Sequence, residues 1–189
     1  MPRDSASLAL SRFDALLLDP SPEAQTEPIQ ATRLIRVPLD AQDSVLLSLE
    51  DLTEIFRVEV AEVLPIPEMT RCVIGICNWR GEMLWLVDFN QFVGYPSLFE
   101  QVPFCSPLTV LVIQNDLRAI GIVVSQVGDL ELHDLKHLQP PAIGLFSPDL
   151  LPLVRGTLPG LSDPVLDLQA LIQCPLWQNP IQTHEHFSD

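Results

Sequence analysis

The chain has 189 residues, 47% of them hydrophobic and 19% charged, enough to bury a core as one domain or as two small joined ones. Its formal net charge is −15, and among ten basic residues only Lys136 is a lysine; phosphate backbones and anionic lipid surfaces are repelled, which argues against nucleic acid and membranes as partners. No stretch approaches the roughly 20 apolar residues of a membrane span, and the N-terminal segment, with Asp4 directly after Arg3, lacks the apolar run of a signal peptide, so a cytoplasmic protein acting on small molecules or proteins is expected.

Residues 1–31 read as a separate segment. In "SLALSRFDALLLDP", Leu10, Phe13 and Leu17 share one helical face, and "DPSPEAQTEP" then breaks the helix and reads as a proline-rich acidic linker. Such a helix either packs back on the domain or docks on a partner. From Arg33 the pattern changes to short strands, "RLIRVPL" and "SVLLSL". Ser48 with Asp51 has capping-box spacing, which predicts a short helix carrying Leu52, Ile55 and Phe56 on one face. "RVEVAEVLPIP" alternates Val58 and Val60 against Glu59 and Ala61, a strand pattern stopped by prolines. "CVIGICNW" and "EMLWLVDF" predict two strands joined at Arg80-Gly81, a hairpin turn in which Gly81 tolerates positive φ. Asp88 then caps a short helix "DFNQFVG" closed by Gly94.

After a proline-marked connection near Tyr95 to Pro107 the pattern starts again. "LTVLVIQNDLRAIGIVVSQV" predicts two strands around Asn115-Asp116, "GDLELHDL" continues them, and "LLPLVRGTLPG" and "DPVLDLQALI" supply the last strands. Residues 176–189 form a polar tail. Turn signals every ten or so residues mark small antiparallel barrels or sandwiches. "LVDFNQFV" (residues 86–93) echoes "VLDLQALI" (residues 165–172), which suggests two similar β-barrel subdomains, each finished by a strand, an Asp and a turn of helix.

The candidate chemistry is sparse. Cys72, Cys77, Cys105 and Cys174 sit at no ligand or disulfide-framework spacing and read as free thiols; Cys72 and Cys77 fall on opposite faces if their segment is a strand. His133 and His137 have helical spacing but no third ligand, and His184 and His186 lie in the tail, so no metal or cofactor is expected. Asp88 and Asp167, at equivalent points of the echo, read as helix caps more readily than as a catalytic pair. Hydrolase, nucleotide and zincin motifs are absent, and no enzyme is expected. Arg80 is the unexplained charge: it is either a solvated turn residue or an interface anchor, with Trp79 and Trp85 beside it.

The segment "VIGICNWRGEMLWLVDF" resembles the signature of the CheW family of chemotaxis coupling proteins, usually G-V-I-N-L-R-G-x-x-x-P-V-I-D-L; Asn78, Arg80, Gly81 and Asp88 match in register. "LTEIF" resembles the family's V-x-E-I, "AIGIVVSQVGDL" its V-G-I-V-V-D-x-V-x-x-V and "PVLDLQALI" its terminal L-L-D-L segment, together covering about Arg33 to Gln173. The resemblance implies an all-β domain at residues 32–175 made of two interleaved five-stranded SH3-like barrels with a hydrophobic junction, without catalysis or cofactor. It also implies two partners: the cytoplasmic tip of a methyl-accepting chemoreceptor and a CheA-type histidine kinase. Leu52, Glu54 and Arg80 stand at the family's partner-contacting positions, with Glu54 and Arg80 close enough to pair; Asn78 and Gly81 form the turn, and Asp88 and Asp167 the caps. Trp79 replaces the usual Leu, Trp85 stands where Pro is common, and Ser125 replaces an Asp. The tryptophans and the acidic extension are similar to CheW-like proteins of cyanobacterial phototaxis and type IV pilus clusters, where a pilus partner bound through the N-terminal helix is the alternative.

Overall fold

The structure, a computed structural model, describes residues 31–101, 107–141 and 144–174. The helix expected around Leu10 to Leu17 and the tail at 176–189 lie outside the described residues. Among the described residues ten strands form two five-stranded sheets. The first contains β1 (Thr32–Pro38), β2 (Ser44–Ser48), β8 (Leu130–His133), β9 (Val154–Thr157) and β10 (Pro164–Leu166), in the order β8-β1-β2-β10-β9. The second contains β3 (Glu54–Val58), β4 (Val73–Trp79), β5 (Glu82–Asp88), β6 (Leu108–Gln114) and β7 (Ala119–Val124), in the order β3-β6-β7-β5-β4. Both curl as SH3-like barrel walls. Among the described residues, helical structure is confined to α1 (Phe89–Phe92), α2 (Leu98–Gln101), α3 (Leu168–Ile172) and single 3-10 turns.

The second barrel is inserted whole into the first, between β2 and β8, so the fold is nested. The pattern that starts again after Pro107 does not open a second subdomain: β6 and β7 complete the barrel begun by β3, β6 pairing with β3 and β7 lying parallel to β5. The C-terminal segment returns to the first barrel, where β10 lies parallel to β2.

Burial explains why these strands read as nearly continuous apolar runs. Alternate residues serve two different cores. Val110 and Val112 of β6 and Val123 of β7 fill the second barrel with Leu84 and Leu86. Their neighbours Leu111, Ile113, Ile122 and Val124 point the other way, into a larger core shared with Ile35, Val37, Val45 and Leu47 of the first sheet. Leu34, Leu46, Leu158 and Val165 fill the first barrel. Strands buried on both faces lose the hydrophobic-polar alternation of a half-exposed sheet. Gly121 shows how tight the second barrel is: an added Cβ would lie 2.7 Å from both Leu86 Cδ2 and Val110 Cγ1. Cys77 faces that barrel and Cys72 faces the shared junction, in two separate cores.

Two local expectations fail. Ser48 opens only a 3-10 turn at Leu49–Asp51 and its side chain does not cap it; Ser48 Oγ instead donates to Glu50, 3.2 Å away. The residues expected to be helical form β3, because they hydrogen-bond along the edge of β6 and split their apolar side chains, Phe56 into the second barrel and Ile55 towards the junction. Val60–Glu62 is likewise a 3-10 turn and not a strand: Glu62 reaches back to accept from the Glu59 N–H at 3.0 Å.

Candidate functional site

The β4–β5 connection is two residues long, and both stand at positive φ, Arg80 at 55° and Gly81 at 85°. Mirror-image turns of this kind match the twist of a hairpin and favour Asn or Gly at both central positions. Asn78 Oδ1 accepts the Gly81 N–H at 3.2 Å and stiffens the turn. Reading the sequence places the conformational demand on Gly81 alone; the structure places it on Arg80 as well. A left-handed non-glycine residue costs about 1 kcal/mol, so an arginine here is held against the local backbone preference.

What holds it is Glu54. β3 and β4 are the two outer strands of the second sheet, and Glu54 begins the one while Trp79 ends the other. The Trp79 indole N–H donates to Glu54 Oε2 at 2.8 Å, and an Arg80 guanidinium nitrogen lies 2.8 Å from the same oxygen. The guanidinium carbon is 5.0 Å from the centre of the Trp79 ring, within cation–π range. Trp79 is 7% exposed and packs in the second barrel's core, whereas the Arg80 side chain is 63% exposed and that of Glu54 32%. One carboxylate therefore bridges the sheet's two edges and aims a solvent-facing guanidinium across an aromatic ring. The part of Trp79 is missed by sequence reading; a tryptophan that buries its ring still needs an acceptor for its N–H, and that acceptor lies 25 residues away.

Leu52, two residues before Glu54, packs half-buried against the junction core. Three exposed apolar residues stand on strands of the two barrels. Ile55 pairs with Leu111 of the junction, and Leu130 pairs with Ile35 of the same core, so both sit on junction faces; they are 41% and 56% exposed. Leu132, 66% exposed, pairs with Arg33, whose Nε donates to Glu50 at 2.9 Å on the turn leading to Leu52.

The two capping aspartates differ in depth. Asp88 is buried; it accepts the N–H groups of Gln91 (3.2 Å) and Leu98 (2.9 Å) and the Ser97 hydroxyl (2.6 Å). Asp167, more open, accepts the N–H groups of Gln169 (2.9 Å) and Ala170 (3.0 Å) at the start of α3. Both oxygens of Asp88, and Oδ1 of Asp167, are engaged by donors of the fold. Burial pushes the thiols of Cys72 and Cys77 above their ordinary value, disfavouring the nucleophilic thiolate. His133 contacts Glu131 at 2.7 Å, and Arg36 holds the same carboxylate together with Asp163 and Ser44 at the mouth of the first barrel. Ser125, at the position of the family's Asp, donates to the Pro38 carbonyl at 3.5 Å. Among the described residues no three His, Cys, Asp or Glu side chains are grouped to hold a metal.

Comparison with known proteins gives a consistent result. The family described as "CheW-like domain" matches residues 33–175. No curated protein matches the chain. Among solved structures, the scaffolding protein TtCheW from Thermoanaerobacter tengcongensis is similar in fold, with a TM-score of 0.57 and 17% identity over 72% of this chain and 87% of that one.

Proposed function

The chain belongs to the CheW-like domain family, and from that premise we propose that it is a non-catalytic adaptor coupling the cytoplasmic tip of a methyl-accepting chemoreceptor to a CheA-type histidine kinase. The observation that carries the reading is the presentation of Arg80. Its guanidinium is offered to solvent by a stiff two-residue turn, aimed by Glu54 and Trp79, and Glu54 stands two residues from the half-buried Leu52. A rigidly held, solvent-facing arginine stacked on an aromatic ring is a residue type favoured at interaction hot spots, where charge sets register.

Two further features fit. The acidic balance of the chain disfavours nucleic acid and anionic membrane as partners, and no helix among the described residues is long and apolar enough to cross a membrane. A cytoplasmic site of action follows from the coupling role. The test is reconstitution of the full chain with a receptor tip and a CheA-type kinase from the same cells. Arg80→Glu is expected to weaken co-purification of the ternary complex at least tenfold while the melting temperature stays within about 3 °C of the parent. Unchanged binding by the variant would remove Arg80 from the interface.

A further inference from the structure

At the end of the second barrel away from Arg80, a cavity of about 460 Å³ opens beneath the 3-10 turn at Val60–Glu62. Its walls are Val60, Val63, Pro65, Ile74, Phe99 and Leu108. The volume lies in the range of small-molecule sites, which pair apolar walls with a few placed polar groups. Two charged side chains reach it. Asp88, at its buried side, is saturated by the three donors described above. Arg71 is exposed at the mouth and forms no ion pair among the described residues. Gln91 also lines the cavity. In a chain with a net charge of −15, an arginine left without a carboxylate beside an apolar cavity is a donor fork open to an acceptor, since its planar guanidinium matches a carboxylate with two parallel hydrogen bonds.

We propose that this cavity binds an amphiphilic monocarboxylic acid, its apolar body against Ile74, Val63 and Phe99 and its carboxylate on Arg71. The polarity of binding is set by the two charges. Asp88 repels an acid group from the buried side, and Arg71 attracts it at the mouth, so the tail enters first. This site is separate from the Arg80 surface, and its occupancy is independent of the coupling role.

Decanoate, used below its micelle-forming concentration, is the probe, titrated into the isotope-labelled full chain and followed by backbone amide resonances. Saturable shifts are expected at Ile74, Gln91 and Phe99. Decanol, which keeps the tail and lacks the acid, and hexanoate, which keeps the acid and shortens the tail, are each expected to bind at least tenfold more weakly. Arg71→Gln should lose at least tenfold in decanoate affinity with an unchanged melting temperature, and Arg71→Lys should recover part of it. Decanol binding as tightly as decanoate, an Arg71→Gln variant with parental affinity, or shifts that never saturate or that map to Ile55 and Leu130 would each overturn the proposal.

Discussion

Glu54→Ala and Arg80→Gly compared side by side separate what the carboxylate does for the fold from the partner contact proposed for Arg80. Glu54→Ala removes two bonds to one oxygen, each 2.8 Å long. The ion pair is largely exposed and contributes well under about 1 kcal/mol. The indole N–H is different: Trp79 stays packed in the barrel core, and a buried donor without an acceptor costs about 1–3 kcal/mol. The sum is about 2 kcal/mol, or a fall of about 4–8 °C in melting temperature for a chain of this size. Arg80→Gly loses the same ion pair and the cation–π contact, together about 1 kcal/mol, but relieves about 1 kcal/mol of left-handed backbone cost at φ 55°. It should therefore leave stability within about 0.5 kcal/mol while still losing kinase or receptor binding. Thermal and urea unfolding of both single variants, of Trp79→Phe and of the Glu54→Ala/Trp79→Phe double variant read the assignment directly, with a coupling energy of about 1–2 kcal/mol expected between Glu54 and Trp79. If Arg80→Gly destabilises as much as Glu54→Ala, the guanidinium is a strut of the barrel and the surface reading fails.

Three other outcomes are expected. Gly75→Ala puts a Cβ 2.2 Å from the Leu64 carbonyl oxygen at a residue with φ 152°, breaking the paired Leu64–Ile76 backbone bonds; a loss of about 3 kcal/mol, measured by urea unfolding, is expected, and a neutral result would show that this approach of the two segments is not required. Asp88→Ala should cost clearly more than Asp167→Ala, because it strands the Leu98 N–H inside the fold and the Ser97 hydroxyl beside it, whereas the open cap at Asp167 is worth about 1 kcal/mol; equal losses in calorimetry would contradict the difference in depth. His133, and then Arg36, hold the Glu131 carboxyl below its ordinary value of 4.5. A group depressed in the folded state adds stability above its unfolded value, and that contribution fades as pH falls through the lowered one. Glu131→Gln should therefore flatten the acid limb of the stability curve below about pH 4.5, measured by urea midpoints across the range; an unchanged limb would assign the acid sensitivity elsewhere.

Much of the architecture was legible locally. β-branched runs between turn residues marked β4 to β7, the Arg80-Gly81 step marked the hairpin, and the repeated Asp after an apolar strand marked the caps of α1 and α3; each is a signal in which neighbours in sequence carry the physics. The helix expected after Ser48 failed for the opposite reason. Its cap spacing was a local preference of about 1 kcal/mol or less, and the edge of β6 offered a whole ladder of backbone bonds in its place.

The echo of residues 86–93 and 165–172 shows where local information stops. Both segments predict a capped turn of helix and both form one, yet only Asp88 is buried, where Ser97 and the first residue of α2, Leu98, each supply a further donor. The same holds for the candidate site. The family motif named Glu54 and Arg80, but the indole N–H that shares their carboxylate belongs to Trp79, 25 residues from Glu54. The amino-acid sequence by itself determined which segments extend, turn and cap, since those choices rest on backbone preferences within a few residues. The nesting of one barrel in the other, the assignment of each strand's two faces to different cores and the arginine's exposed aim were decided only in three dimensions, because each rests on contacts whose entropy of closure is repaid only once the distant partner is in place.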